Sequence, residues 1–370
     1  MTLKRITVLV MAGLLMTTLP VLAQRITQPR TASPAAEVTQ TIGISSITIN
    51  YSRPSVKERE IWGTQLAHYG YKNLGFGTAT AAPWRGGANE NTTITFSDDA
   101  MVEGKSIPAG SYGLFFGLYE DGKVDVIFSK NSESWGSFSY AQDEDQIRVS
   151  VNSVEISHRE RLTYDFIDID KTSAIAVLEW EKKQIPFKIS YEVDEIVLAN
   201  AANELRNFTG FFWQGPASAA QYSLANNVEL EKGLAWADQS IGIQKNFNNL
   251  NLKAQILTKL GKKDEASKIM DEAIKDPTAQ SFQLHAYGRQ LINSGDKDKA
   301  LEIFKYNHKK NDAAWPTNYG LARGYSAKGD YKNAIKYLKI AKTKVPANDT
   351  QNPPLIEANI KKLEKGEDIN

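Results

Sequence analysis

The sequence predicts an all-β antiparallel sandwich followed by a solenoid of α-helical hairpins. Two observations carry this. Between Ile47 and Ile189 apolar residues alternate with polar ones at period two, and turn-forming residues separate the runs. Between Asn246 and Val345 three glycines, Gly261, Gly295 and Gly329, recur every 34 residues, as do Ala266, Ala300 and Ala334. The same interval returns Ala254/Gly288/Ala322, Leu257/Leu291/Tyr325 and Met270/Phe304/Leu338.

A period of this length is that of a helix–turn–helix unit of the tetratricopeptide type. The second half is therefore read as an α-helical tetratricopeptide-type solenoid. A chain of 370 residues, 41% hydrophobic and 24% charged, is long enough for two or three packed domains. Its net charge is +1, unevenly spread. From Lys245 onward 23 Lys and Arg face 15 Asp and Glu, a balance of +8, and the remainder is −7. Lysines on solvated helix faces account for this better than the concentrated basic stripe of a nucleic-acid binder.

At the start, Lys4 and Arg5 precede an apolar run from Ile6 to Leu22 that ends in Val21-Leu22-Ala23. This is the pattern of a secretory signal peptide over residues 1–23, cleaved before Gln24. There is no cysteine, which excludes disulfides, a thiol nucleophile, cysteine-ligated zinc and a lipid-modified cysteine. No later run reaches the length of a membrane span. The expectation is an exported protein, periplasmic or extracellular, and not a lipoprotein.

Residues 24–37, rich in Thr, Pro and Ala, are expected to be flexible. Strands of a sandwich over residues 38–190 follow. Ile47–Ile49 and Thr92–Phe96 alternate, and Tyr112–Tyr119 and Val124–Phe128 flank the hairpin signal Asp121-Gly122. Met101–Lys105 makes another tight turn, and further strands lie at Ile147–Val151, Leu162–Phe166, Ile175–Trp180 and Ile185–Ile189. Pro186 suggests an edge for the last of these. Residues 191–216 read as a helical junction, with a helix over 193–207 and Phe211, Phe212 and Trp213 packing where sheet and helices meet. Repeats fill 217–345, degenerate over 217–245 and regular over 246–345. After Pro346, residues 346–370 supply a capping helix with Leu355, Ile360 and Leu363 on one face.

Two stretches of the sheet half stand out: Tyr51-Ser52-Arg53-Pro54, running on to Trp62-Gly63, and Pro83-Trp84-Arg85-Gly86-Gly87-Ala88-Asn89-Glu90. With Pro108–Tyr112, Asp145–Val149 and Leu178–Trp180, they resemble the exported bacterial domain-of-unknown-function family 2911 over roughly residues 30–190. Helical repeats follow this domain in some longer members. Glu58 before Arg59 departs from the Gly-Arg usual in that family. The resemblance implies a fold and no established activity.

Arg53, Trp84, Arg85, Asn89 and Glu90 have the chemistry of a polar pocket. An arginine fork binds carboxylates, an amide reads hydrogen bonds and an indole stacks on a sugar. Arg85 and Glu90 also fit a buried ion pair that locks a loop onto the sheet, and this is the reading preferred over a ligand site. None of His68, His158, His285 and His308 lies in a metal-binding spacing, and the acids at 143–145 and 165–170 lack a calcium-loop pattern. No catalytic residue, metal or cofactor is indicated.

In the repeats, the tetratricopeptide resemblance implies a concave groove lined by the first helix of each unit. Its columns here are Asn251, His285, Tyr319 and Gln255, Arg289, Arg323. Arg289 and Arg323 are the only arginines after Lys245. Three functional readings follow. The first is an exported non-enzymatic binding or assembly protein, whose groove holds a protein segment and whose sandwich contacts a second ligand. The second is an enzyme, or a glycan- or anion-binding domain, centred on Arg85, Asn89 and Glu90. The third is an envelope protein that self-associates. Neither a nucleic-acid partner nor a membrane span is expected.

Overall fold

Ten strands and ten α-helices are present among the described residues of the computed structural model, 29–311 and 314–370. The segment read as a signal peptide lies outside them. The chain divides into two compact units, Met1–Val197 and Leu198–Asn370.

The first unit is two antiparallel sheets. Six strands lie in the order β1 (Ala35–Ile42), β2 (Ser45–Ser52), β3 (Thr93–Phe96), β6 (Gly110–Leu118), β7 (Lys123–Ser129), β8 (Asp145–Asn152). Four lie in the order β5 (Lys105–Ile107), β4 (Ala100–Val102), β10 (Ser173–Ser190), β9 (Val154–Ile167). Alternation decides the buried face: Ile47 and Ile49 of β2, Ile94 and Phe96 of β3 and Val126 and Phe128 of β7 point into one core. They meet Leu162 and Tyr164 of β9 and Leu178, Trp180 and Phe187 of β10 there. β1 begins at Ala35, inside the stretch expected to be flexible, because its residues pair with β2 from Ala35↔Ser52 to Ile42↔Ser45.

β10 corrects two further expectations. The runs at 175–180 and 185–189 are one strand of 18 residues, irregular in register between Glu179 and Lys183. It is an inner strand. Pro186 is tolerated because it falls between partners: β9 pairs as far as Gln184 and β4 only from Ile189.

Residues 53–92 contain no extended strand. They are held by short bridges, Ser55↔Arg161, Trp62↔Ala67, Tyr69↔Leu118, Lys72↔Ala82 and Trp84↔Phe116. Glu58, at the departure from the family pattern, has φ +59°. That is the left-handed conformation a glycine adopts freely and a glutamate adopts at a cost of about 1 kcal/mol.

The second unit is built from helical hairpins. α1 (Val193–Glu204) runs across the division between the units. Then come α2 (Gln214–Asn226) with α3 (Leu230–Ile243), α4 (Phe247–Lys259) with α5 (Lys263–Lys275), α6 (Ser281–Asn293) with α7 (Lys297–Lys310), and α8 (Trp315–Ala327) with α9 (Tyr331–Lys344). α10 (Asn352–Glu364) follows. The periodic glycines end the first helix of each regular hairpin with φ of +80°, +88° and +77°. At each, the next residue's N–H returns to a carbonyl of the last turn: Lys262 to Leu257, Asp296 to Leu291, Asp330 to Tyr325, all 2.9 Å. This is the left-handed helix stop that only glycine adopts without strain. Ala266, Ala300 and Ala334 are buried where the second helix meets the first.

Two expectations fail here. Of Phe211, Phe212 and Trp213, only Trp213 is half-buried; Phe211 and Phe212 are exposed, Phe211 by 72%, and each packs edge-to-face on the exposed Phe208. On α10 the buried face is Ile356, Ile360 and Leu363, and Leu355 is exposed. Residue 356 stands four and seven positions before its two buried partners, the spacing of one helix face.

Candidate functional site

Each unit holds a cavity, and each gathers only some of the residues singled out in the sequence.

In the sheet unit, Trp84 is a core residue. Its N–H and C=O both bond Phe116 at 2.8 Å, and its indole stacks on Trp180 with centroids 6.0 Å apart and planes 7° apart. Trp62 meets both rings edge-on. The three indole N–H groups are buried without a partner among the described residues. Gly86 follows with φ +59°, pressed so closely on Phe116 and Tyr164 that a Cβ would stand 2.5 Å from each. Its carbonyl accepts from the Tyr164 hydroxyl (2.8 Å) and the Thr92 hydroxyl (3.2 Å). The loop is thus pinned from inside the sandwich.

The remaining residues disperse. Arg53 donates to the Leu162 carbonyl (3.0 Å) and the Thr163 hydroxyl (2.7 Å), tying β2 to β9. Asn89 donates to the Ser33 carbonyl and the Ser52 hydroxyl. Glu90 is exposed and paired with Arg30, whose guanidinium holds the carboxyl below its ordinary range. The expected Arg85–Glu90 ion pair does not form. Instead Arg85 turns inward, donating to the Asn89 carbonyl at 2.7 Å and lying 4.7 Å from the Phe138 ring centroid. Burial lowers its pKa. It lines a cavity of about 490 Å3 with His68, Lys72 and Ser137. His68 and Lys72 carry no sequence signal because residues 53–92 have no periodicity, and Ser137 lies in the loop between β7 and β8.

Two loops that bear this cavity are clamped by Arg148 of β8. Its Nη1 donates to the Tyr71 hydroxyl (2.9 Å), and its Nη2 donates to the Tyr140 hydroxyl (2.9 Å) and Asp145 (2.8 Å). Tyr71 and Tyr140 donate in turn to Asp125 and Asp145. Burial pushes the Asp145 carboxyl up in spite of Arg148, and both tyrosines are pushed up for the same reason.

In the helical unit, a cavity of about 590 Å3 lies between α6, α8 and α10. It brings together His285, Arg289, Tyr319 and Arg323, four of the six groove residues. Asn251 and Gln255 line a different cavity of about 320 Å3 beside α5 and α6. The helical spacing explains the grouping: 285 and 289, like 319 and 323, are four apart on one face. The residues missed in the sequence are its apolar wall: Phe282, 67% exposed, with Trp315 and Leu355. Phe282 was findable, since it stands three residues before His285 on the same helix face.

Within this cavity the groups differ in freedom. The Tyr319 hydroxyl accepts from Asn359 (2.7 Å), so Tyr319 is a fixed wall. Arg323 lies over the Tyr319 ring and donates to the Ile369 carbonyl (3.2 Å) and the Asn370 side chain (3.3 Å). Its Nε is buried without a partner. No acid among the described residues pairs with Arg289 or Arg323. The His285 ring packs edge-on to Phe304, and its Nδ1 is also buried and unpartnered. Burial first, then Arg323 and Arg289, lower the His285 pKa to about 4, so it is neutral at pH 7.

Among the described residues no group of three His, Cys, Asp or Glu is arranged to hold a metal ion, and no helix is long and apolar enough to cross a membrane. The fold is that of a β domain joined to tetratricopeptide repeats. Residues 33–189 match a family described as protein of unknown function (DUF2911), and residues 248–275 match the tetratricopeptide repeat. No curated protein matches the chain. Among solved structures, it is similar to YrrB, described as a tetratricopeptide protein with an unusual peptide-binding site. The two share 16% identity over 46% of this chain and 84% of that one, with a TM-score of 0.31. The structure of MamA gives 14% identity, 41% and 88% coverage and a TM-score of 0.31. The C-terminal part of a tetratricopeptide protein from Cytophaga hutchinsonii gives 12%, 46% and 70%, and 0.35. Likeness at this level bears on neither partner nor ligand.

Proposed function

We propose that this is an exported, non-enzymatic binding or assembly protein whose helical unit holds a segment of another protein between α6, α8 and α10. One observation carries the reading. Two guanidinium groups without an acidic partner among the described residues stand beside a neutral histidine and an apolar wall of Phe282, Trp315 and Leu355. Apolar side chains left in a concavity next to unpaired cations match a segment in which an acidic residue neighbours a bulky apolar one. Burying the apolar side chain stabilises the complex, and the arginine fork supplies register and charge selection.

The test is fluorescence anisotropy with labelled peptides that place Glu beside Leu or Trp. Binding is expected, with a loss of about tenfold when the peptide Glu becomes Gln or when Arg289 becomes Glu. Arg289 is the informative position because Arg323 also holds residues 369–370. Equal binding of the Glu and Gln peptides would sink the reading.

Export rests on Lys4, Arg5 and the apolar run to Leu22. Mass spectrometry of the protein from its native host should find a mature chain starting at Gln24. A chain retaining Met1–Ala23 would count against export by cleavage.

A further inference from the structure

The sheet unit contains a second polar cavity whose chemistry the groove reading does not use. We propose that the cavity bounded by Arg85, Lys72 and His68 binds a small hydroxylated carboxylate of the sugar-acid class. Arg85 and Lys72 take the carboxylate, and His68 accepts a hydroxyl proton.

The charge is the first argument. Arg85 and Lys72 both line the cavity, and among the described residues no acidic side chain lines it or pairs with either. Arg85 is largely withdrawn from water, yet its polar contact is one backbone carbonyl and its flat face is spent on Phe138. Gly136 closes in so tightly that a Cβ there would overlap the guanidinium. A cation desolvated this far without a counter-charge is unfavourable, and a bound anion would offset that cost.

The second argument is hydrogen-bond polarity. His68 is 4% exposed, and its Nδ1 lies 3.1 Å from the Gly70 carbonyl. A carbonyl only accepts, so Nδ1 carries the proton. Burial, aided by Lys72 and opposed by the Gly70 carbonyl, lowers the ring's pKa and so favours the neutral form. Nε2 is then an acceptor, and it selects a ligand that brings its own O–H. A phosphate monoester dianion has none, and inorganic phosphate brings a P–OH but no polyol to fill the rest of the cavity. Trp84 lines the same cavity, and Ser137 adds a hydroxyl that can donate or accept. Donors and acceptors mixed around two cations suit a polyol that carries one carboxylate.

Rigidity is the third. Lys72 and Ala82 exchange backbone bonds at 3.0 and 2.8 Å, Ala79 donates to the Phe138 carbonyl at 2.9 Å, and Arg148 ties Tyr71 and Tyr140 to β8. The walls are held before any ligand arrives, which lowers the ordering cost of binding. The volume of about 490 Å3 admits a single sugar ring.

Isothermal titration of the full chain with glucuronate tests this, with glucose and inorganic phosphate as the comparison arms. Saturable glucuronate binding is expected, at least about tenfold tighter than glucose or phosphate. Arg85→Gln and Lys72→Met should each weaken it by a similar factor. Lys72 is exposed and outside the core, so its variant reads the site even if Arg85→Gln fails to fold. The proposal is overturned by absence of saturable glucuronate binding, by glucose or phosphate binding as tightly, or by affinity that survives Lys72→Met. Peptide binding in the helical unit is a separate measurement, so either proposal can fail alone.

Discussion

Glu90 accepts both of its side-chain hydrogen bonds from Arg30, at 2.5 and 2.7 Å, across 60 residues of sequence. Arg85, five residues before it in the same loop, is left facing inward. Because the Arg30–Glu90 pair is exposed on both sides, it contributes on the order of 0–1 kcal/mol. Glu90→Gln should shift the urea midpoint little and leave any ligand affinity of the Arg85 cavity unchanged. A loss of several kcal/mol would mean that the pair anchors the loop.

Arg148 is the opposite case. Removing its guanidinium leaves the carboxylates of Asp125 and Asp145 poorly exposed and unneutralised, with Tyr71 and Tyr140 each losing a bond. Arg148→Met is expected to cost about 2–4 kcal/mol, read by denaturant unfolding of the sheet unit. Arg53→Met removes bonds to one carbonyl and one hydroxyl and should cost less.

The His285 pKa is lowered from 6.5 to about 4 by burial and by Arg323 and Arg289. The unfolded chain therefore takes up this proton first as pH falls. The neutral ring's contribution is complete above pH 6.5, declines as pH drops toward 4, and is lost below it. At 1.36 kcal/mol per unit the full effect is about 3 kcal/mol. His285→Gln should flatten that part of the stability profile between pH 6.5 and 4.

An acidic peptide bound between the two arginines offsets their repulsion of a protonated His285. Binding then takes up protons, but burial, the larger cause of the lowered pKa, remains, so affinity should rise only modestly, and chiefly toward pH 5.5, as pH falls from 7.5 while the peptide carboxylate stays ionised. In His285→Gln the affinity should be nearly flat over this range. A wild-type affinity that falls toward pH 5.5 would contradict the placement of the peptide acid.

A Cβ on Gly288 would stand 2.6 Å from the Phe304 ring. Gly288→Ala should therefore destabilise the helical unit by about 1–3 kcal/mol through overpacking. Combining it with Phe304→Leu should recover part of the loss, as a double-mutant cycle would show.

The helical unit was the more legible half because its geometry repeats. Gly261, Gly295 and Gly329 recur since every hairpin needs the same left-handed stop, and Ala266, Ala300 and Ala334 recur since every pair of helices meets at one spot. The alternation of Ile47 and Ile49 or Val126 and Phe128 marked strands equally well. Residues 53–92 have no repeating geometry. Their bridges join distant partners, such as Tyr69 to Leu118, so the positions of His68 and Lys72 beside Arg85 could not be read in advance. Glu90 misled for a related reason: an acid five residues from an arginine is a natural partner until a loop with Gly86 at φ +59° and Asn89 at φ +64° turns the two apart. Phe211 misled because adjacent aromatics are usually buried, whereas a short 3-10 turn over Phe208–Phe211 leaves these outside.

The three contacting indoles of Trp62, Trp84 and Trp180 give the sheet unit an optical identity of its own. Two parallel chromophores and a third edge-on to both, in a fixed chiral arrangement, couple their electronic transitions and generate near-ultraviolet circular dichroism. That signal requires specific side-chain packing and vanishes when packing loosens. It is therefore an intrinsic reporter by which the sheet unit's melting can be followed apart from the far-ultraviolet signal dominated by the helices.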